Sequence, residues 1–337
     1  MKVSILGRKN LEQVLELPSV IEGVKSAYRL KAAGKTVVWP LVSYDFEEVG
    51  GVMDIRSGCI FGENLHGLKM LNNFPANTEK GLPPFNGMLM IFDSTTGIPL
   101  GVMDAAYITC MRTGAAGAIG AQALARSDSE VLLILGAGKQ SIYQIAAALT
   151  LLPGIKKVYI ADALNQEHAR TFAAACAERL QKDFSLECSQ GAFLAAEDLA
   201  AAVGESDIII TITPSRSPVI LKEWVKPGTH FSCIGADMEG KEEIDPTLFQ
   251  GAKIYADDVK QCVQVGEMEL PIKQGVIREA DIAGEIGQVL SGEIPGRCSE
   301  EEITIFDATG LALLDLVTGK RAIDLAQAKE LGILADI

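Results

Sequence analysis

Apolar spacing sets the first boundaries along the chain. Leu11, Val14, Leu15, Val20, Ile21, Val24 and Tyr28 recur at helical intervals, so the first stretch, to about Lys35, is expected to be helical. From Thr36 to about Leu100 the pattern shortens to strands and turns. Val37–Pro40, Gly51–Arg56, Leu68–Leu71 and Gly87–Phe92 read as strands, and Asp93-Ser-Thr-Thr-Gly97 turns the last of them into Ile98–Met103 as a hairpin. Residues 106–125 are Ala-rich, Gly-spaced and apolar all round, which is the pattern of a buried helix. From Val131 onward the rhythm changes again. Val131–Leu135, Lys157–Ala161, Phe184–Cys188, Asp207–Thr211, His230–Ile234 and Ala252–Ala256 are short apolar runs separated by helical or loop stretches. Strands apolar on both faces and alternating with helices predict a doubly wound parallel sheet, an α/β fold. Gly310 to Leu331 is helical once more but holds too little apolar surface to fold alone. It is expected to pack back on the N-terminal part and make that domain discontinuous.

Composition and charge narrow the class. At 337 residues the chain is long for one core, and two domains are expected: residues 1–118 with 310–337, and residues 119–309. A formal charge of −14 argues against nucleic acid or an anionic membrane as a partner. Seven cysteines form an odd, scattered set without a CxxC, which reads as reduced thiols in a cytoplasm with neither a disulfide framework nor a zinc site. Met1-Lys2 is followed by too short an apolar run for a secretory signal, and no run reaches membrane-spanning length. A cytoplasmic protein with no membrane partner is expected.

The strongest chemical signal lies at Val131–Ser141. A strand leads into Gly136-x-Gly138-x-x-Ser141 and then a helix. The first glycine suits the tight turn, the second lets backbone approach a pyrophosphate at the helix N-terminus, and the third position needs a small residue. Asp162 ends the second strand, where a carboxylate binds the adenosine ribose hydroxyls and repels a 2′-phosphate. No arginine follows within the next few positions, so NAD is expected over NADP.

Three histidines, His66, His168 and His230, form no metal or triad constellation, and no metal-binding motif is present. The remaining candidates are charges in apolar or turn-rich settings. Lys69 stands in Gly67-Leu-Lys-Met-Leu71, and Arg112 is the only charge in the buried helix. Asp237 follows the strand ending at Ile234, at the carboxyl edge that faces the cofactor crevice of such a sheet. Each alone could equally be a structural ion pair. Together, two cations for a carboxylate and an acid beside a hydride acceptor form a coherent amino-acid site.

Over essentially its whole length the sequence resembles the ornithine cyclodeaminase/mu-crystallin family. The resemblance is carried by Gly67-Leu-Lys69, Pro75-Ala-Asn77, Gly81-Leu-Pro83, Phe92–Pro99, Met103-Asp104, Arg112-Thr113, Gly136-Ala-Gly138-Lys139-Gln140, Ile234–Asp237 with Gly240-Lys241, Gly266-Glu267 and Ile305–Gly310. It implies a Rossmann domain inserted in a discontinuous α+β substrate and dimerisation domain, and hence a homodimer. It implies that Lys69 and Arg112 hold a substrate carboxylate, with Lys69 and Asp237 in the catalytic set and Asp237 as the acid/base beside the reacting carbon. Thr113, Gly136, Gly138, Lys139, Gln140, Ser141 and Asp162 match the cofactor side. Two departures bear on the substrate. A family arginine near Pro40 is missing, with Ser43 nearest, and Pro84 stands where a threonine is expected. Asp54 falls where cyclodeaminases place an acid for the substrate's distal amine, and Arg56 lies on the same face of that strand. Arg56 either replaces the missing arginine or pairs with Asp54. The resemblance implies an NAD-dependent enzyme acting at the Cα–N bond of an L-amino acid, with ornithine cyclodeaminase preferred (L-ornithine to L-proline and ammonia). A cyclic imine reductase or alanine-type dehydrogenase is the first alternative and a mu-crystallin-like binder of a small ligand the second. The presence of Lys69, Arg112 and Asp237 favours an enzyme.

Overall fold

The computed structural model describes residues 1–188 and 192–337, which form two units: Met1–Arg112 with Leu311–Ile337, and Thr113–Gly310. In the first unit the chain runs β1 (Lys2–Leu6), α1 (Arg8–Val14), α2 (Leu17–Ala32), β2 (Thr36–Val38), β3 (Val42–Phe46), β4 (Gly51–Ile60), β5 (Leu65–Asn73), β6 (Phe85–Asp93) and β7 (Pro99–Asp104) before entering α3 (Ala105–Leu124). Alternation of inward and outward residues makes β4 to β7 an antiparallel meander, with the Asp93–Gly97 turn joining β6 to β7 as the sequence pattern predicts. On β5 the residues buried against the helices are Leu65, Gly67, Lys69 and Leu71, so the two-residue period itself carries Lys69 inward. The extreme N-terminus departs from the helical expectation. Val3 and Leu6 are buried on β1, which lies parallel to β7, and the helical spacing begins only at Arg8.

The first junction between units falls inside α3, between Arg112 and Thr113 rather than after residue 118. In the second unit follow β8 (Val131–Leu135), α4 (Ser141–Leu151), β9 (Lys157–Ala161), α5 (Gln166–Phe184), β10 (Phe193–Ala195), α6 (Leu199–Glu205), β11 (Ile208–Thr211), β12 (Arg216–Ile220) and β13 (His230–Cys233). Then come β14 (Glu242–Ile244), β15 (Lys253–Ala256), α7 (Val259–Val265), α8 (Glu269–Lys273), β16 (Ile282–Glu285), α9 (Ile286–Leu290) and β17 (Thr304–Asp307). Eight of these strands form one sheet in the order β10-β9-β8-β11-β13-β17-β15-β16, and every pairing is parallel. β9 and β11 flank β8 on opposite sides, which puts the topological switch point at the carboxyl end of β8. Leu133, Ile209, Phe231 and Ile305 fill one face of this sheet. The buried Thr113–Leu124 half of α3 approaches so closely that a Cβ on Gly117 would stand 2.2 Å from Gln144 Oε1, and Gln144 donates to the Thr113 carbonyl at 3.0 Å. This accounts for the glycine spacing in that helix.

One strand of the sequence reading is misplaced. Phe184 is the last residue of α5 and stacks edge-on against Tyr143, and Ser185 closes the helix in the left-handed region (φ 57°). The strand of that unit lies instead at β10, beside β9.

The chain returns through α10 (Ala312–Ala328) and β18 (Ile333–Asp336) to the first unit. Leu313, Leu314, Leu316 and Ile323 of α10 are buried in that unit, and β18 pairs antiparallel with β1. Among the described residues no helix is long and apolar enough to cross a membrane.

Candidate active site

In the second unit the turn after β8 has the geometry a dinucleotide needs. Gly136 adopts φ +118°, and a Cβ there would lie 2.7 Å from the Ile212 carbonyl oxygen, so no side chain fits. A Cβ on Gly138 would meet nothing within 4 Å, which leaves backbone open to an approaching group. Ser141 is fully buried and donates to the Gly136 carbonyl at 2.7 Å, so its hydroxyl ties the turn together from the third position. No side chain caps α4. Its first amides therefore present a partial positive charge, as a pyrophosphate requires. Gln140 Oε1 and Thr113 Oγ1 are buried without a hydrogen-bond partner. Lys139 is exposed beside the turn.

Asp162 stands directly after β9. One oxygen accepts from the amides of Leu164 and Asn165 at 3.1 Å, and the other lies 2.8 Å from His168 Nδ1. Burial alone would raise its pKa, but the His168 ring and the two amides outweigh it and hold the carboxyl below its ordinary value. Asp162 is thus a carboxylate held in place at the end of β9 by its own local contacts.

Three buried acids that sequence reasoning did not single out as site residues, Glu243 of β14, Glu267 after α7 and Asp307 at the end of β17, lie in this unit. Glu243 accepts from Thr211 Oγ1 at 2.7 Å and from the amides of Thr213 at 2.6 Å and Gly235 at 3.0 Å, and so ties the turns after β11 and β13. Glu267 accepts from the amides of Glu243 and Ile244 through one oxygen, and its second oxygen has no partner. Asp307 Oδ2 accepts from the Met268 amide at 2.9 Å, and its Oδ1 has no partner. Burial raises all three pKa values, most for Glu267 and Asp307, where neighbouring acids add to it. Gly266-Glu267 and Ile305-Phe-Asp307 stand among the family-like stretches of the sequence, which was the available signal.

Asp237 lies beyond β13, half-buried, with its carboxylate 37% exposed and paired to Lys241 Nζ at 2.6 Å. Lys241 also donates to the Gly235 carbonyl at 3.3 Å, which anchors the pair to the strand end.

In the first unit Lys69 of β5, Arg112 of α3 and Asp315 of α10 meet in the core. Lys69 Nζ donates to Asp315 Oδ2 at 2.8 Å and Arg112 Nε to Asp315 Oδ1 at 3.1 Å, with Lys69 and Asp315 both fully buried. Arg56 is the cross-strand partner of Lys69, and its Nε donates to Asp54 Oδ2 at 3.0 Å. The pairing of Arg56 with Asp54 is thus the arrangement observed, although Asp54 Oδ1 is buried without a partner. Burial, reinforced by Arg112, lowers the Lys69 pKa to about 8 against the opposing pull of Asp315. Burial would raise Asp315, yet Arg112 and Lys69 keep it below the usual carboxylate range. Asp315 is a fourth buried acid the sequence reading missed, although it is the lone charge in Leu311–Val317.

A parallel sheet with a turn through Gly136 and Gly138 at its switch point defines a dinucleotide-binding α/β protein, here with a buried cation cluster in a second, discontinuous unit. The chain belongs to the ornithine cyclodeaminase/mu-crystallin family, whose profile matches residues 1–330. It is 36% identical over 332 residues to alanine dehydrogenase of Archaeoglobus fulgidus, covering 98% of each chain. An archaeal alanine dehydrogenase dimer solved with bound NAD superposes with a TM-score of 0.90 at 36% identity, covering 100% of both chains. The Δ1-pyrroline-2-carboxylate reductase of Thermococcus litoralis, solved with NADH and L-proline, superposes with a TM-score of 0.89 at 30% identity, covering 99% of this chain and 100% of that one.

Proposed function

We propose that this protein is an NAD-dependent enzyme that interconverts an L-amino acid and its imino acid, as an alanine dehydrogenase or Δ1-pyrroline-2-carboxylate reductase does. The observation that carries the reading is the buried cluster of Lys69, Arg112 and Arg56, whose cationic groups fit one small carboxylate in a setting poor in water. In the oxidative direction the amino acid loses a hydride from Cα and a proton from nitrogen, and reduction of the imine reverses both. Bound NAD supplies hydride acceptance and donation. Lys69 and Arg112 fix the carboxylate and hence the orientation of Cα. Asp237 takes the amine proton and returns it, with Lys241 holding one of its oxygens in place. Asp162 selects NAD over NADP by accepting from the ribose diol. The chain forms a homodimer on this reading. Val42, Tyr44 and Phe46 leave β3 exposed and apolar, and the archaeal relative is a dimer.

The commitment of Arg56 to Asp54 favours net redox over cyclodeamination, because it neutralises the acid that would receive a distal amine. The unpartnered Asp54 Oδ1 supports the second reading, an ornithine cyclodeaminase. One assay separates them. NADH is offered with pyruvate and ammonia or with Δ1-pyrroline-2-carboxylate, and NAD+ with L-ornithine. Stoichiometric NADH consumption is expected, stronger with NADH than with NADPH, and reduced about 100-fold or more in Asp237→Asn. Proline and ammonia formed from ornithine without net NADH would establish the cyclodeaminase. Ligand binding without turnover of any substrate would leave a crystallin-like binder.

A further inference from the structure

Asp315 contacts both members of the carboxylate clamp while being closed to solvent itself. It enters from α10, and its two oxygens are divided between Lys69 on β5 and Arg112 on α3 at 2.8 and 3.1 Å. Among the described residues the charged groups that act on it most are Arg112 from α3, Lys69 from β5 and Arg56 from β4, the last paired to Asp54. Three cations against two carboxylates leave one positive charge, which is the complement of a single substrate carboxylate. We propose that Asp315 is the positioning residue of this clamp: it fixes the Lys69 ammonium and the Arg112 guanidinium relative to one another and keeps Lys69 charged while the site awaits its ligand.

Without a carboxylate in that position three cations would face each other in the core, and the easiest relief would be loss of the Lys69 proton. Burial, Arg112 and Arg56 all push Lys69 toward the neutral amine, and Asp315 is the group that opposes them. The clamp is therefore charged below about pH 8 and loses the Lys69 charge above it. An asparagine at 315 keeps the shape and one acceptor but removes the opposing charge, so Lys69 becomes neutral at a lower pH.

This inference rests on the clamp reading of Lys69 and Arg112, and its test has one arm that needs no turnover. Protein labelled with 13C at the lysine ε-carbon is titrated by NMR, with Lys69 assigned from Lys69→Arg. Lys69 is expected to titrate near pH 8 in the wild type and at least one pH unit lower in Asp315→Asn. The same displacement should appear in the alkaline limb of kcat/KM, with KM raised about tenfold or more at pH 7 while NADH affinity stays within twofold. Lys69→Met with Asp315→Asn should cost clearly less than the sum of the two single variants, because part of the acid's effect runs through the lysine and the rest through Arg112. A Lys69 titration and an alkaline limb unmoved by Asp315→Asn would show that Asp315 only packs the core. If the asparagine variant does not fold, the wild type decides: a Lys69 already neutral at pH 6.5 overturns the proposal. Absence of turnover in the wild type with the NMR shift intact would count against the proposed reaction and leave the role of Asp315 standing.

Discussion

At the residue scale a charge inside an apolar run is a demand for a partner, and the sequence shows the demand more readily than the partner. Lys69 and Arg112 were legible because each is a lone cation among residues that face a core. Their shared acid was not, because Asp315 lies 246 residues from Lys69 and nothing in local spacing encodes that meeting. The choice left open for Arg56 is decided by a contact of the same kind, its 3.0 Å pair with Asp54 two residues away. Truncating either clamp cation removes half of the carboxylate recognition and leaves Asp315 with one partner. Lys69→Ala and Arg112→Ala should each lower kcat/KM by roughly 2–5 kcal/mol, about 30- to 5,000-fold. NADH affinity, measured by fluorescence titration, should be unchanged. Near-wild-type turnover in both variants would move carboxylate recognition elsewhere, with Arg56 the first candidate.

At the element scale, strands that stand out as apolar runs were readable, even at four residues, and those whose run is broken were not. β8 and β9 declared themselves through unbroken apolar runs and the Gly136 turn between them. β17 did not, although it lies mid-sheet with all four residues buried, because Thr304 and Asp307 break the apolar run behind Glu300-Glu-Glu302. Local pattern also did not show where three buried acids of this unit meet their partners. Glu243, Glu267 and Asp307 use their carboxylates to hold the turns and amides at the carboxyl edge of the sheet, and all three have pKa values raised by folding. A group whose folded pKa exceeds its unfolded one contributes stability that is complete below the unfolded value and is lost as pH rises through the folded one. The melting temperature of the wild type should therefore decline from the ordinary carboxylate range upward through neutral pH. Glu267→Gln keeps an acceptor for the amides of Glu243 and Ile244 and carries no charge at any pH. Its decline should be distinctly shallower when both proteins are followed by calorimetry from pH 5 to 9. Parallel curves would mean that Glu267 bears no unusual proton.

At the scale of the whole molecule the defining feature is that one unit is interrupted by the other. Leu311–Ile337 supply the first unit with α10, whose Leu313, Leu314, Leu316 and Ile323 are buried there, and with β18, which pairs with β1 at the sheet edge. They also supply Asp315, the acid that pairs the fully buried Lys69. Breaking a buried ion pair from one side costs about 3–5 kcal/mol, and loss of the helix's apolar face adds to that. These costs rival the whole stability of a typical domain. Thr113–Gly310, by contrast, keeps every strand of its parallel sheet, the Gly136 turn and the carboxyl network when the C-terminal segment is removed. The sequence suggested this dependence, since Gly310–Leu331 was too poor in apolar surface to stand alone, but it could not show that the segment brings a charge partner as well. A chain ending at Gly310 should consequently lose order in residues 1–112 and keep it in the inserted unit. Limited trypsin digestion with mass spectrometry should give rapid cleavage before Arg112 and a resistant core within residues 113–310. NADH should still bind the truncated chain, with affinity reduced by less than about tenfold, while turnover is abolished. Simultaneous loss of the resistant core and of NADH binding would show that the inserted unit depends on the returning segment for its own fold.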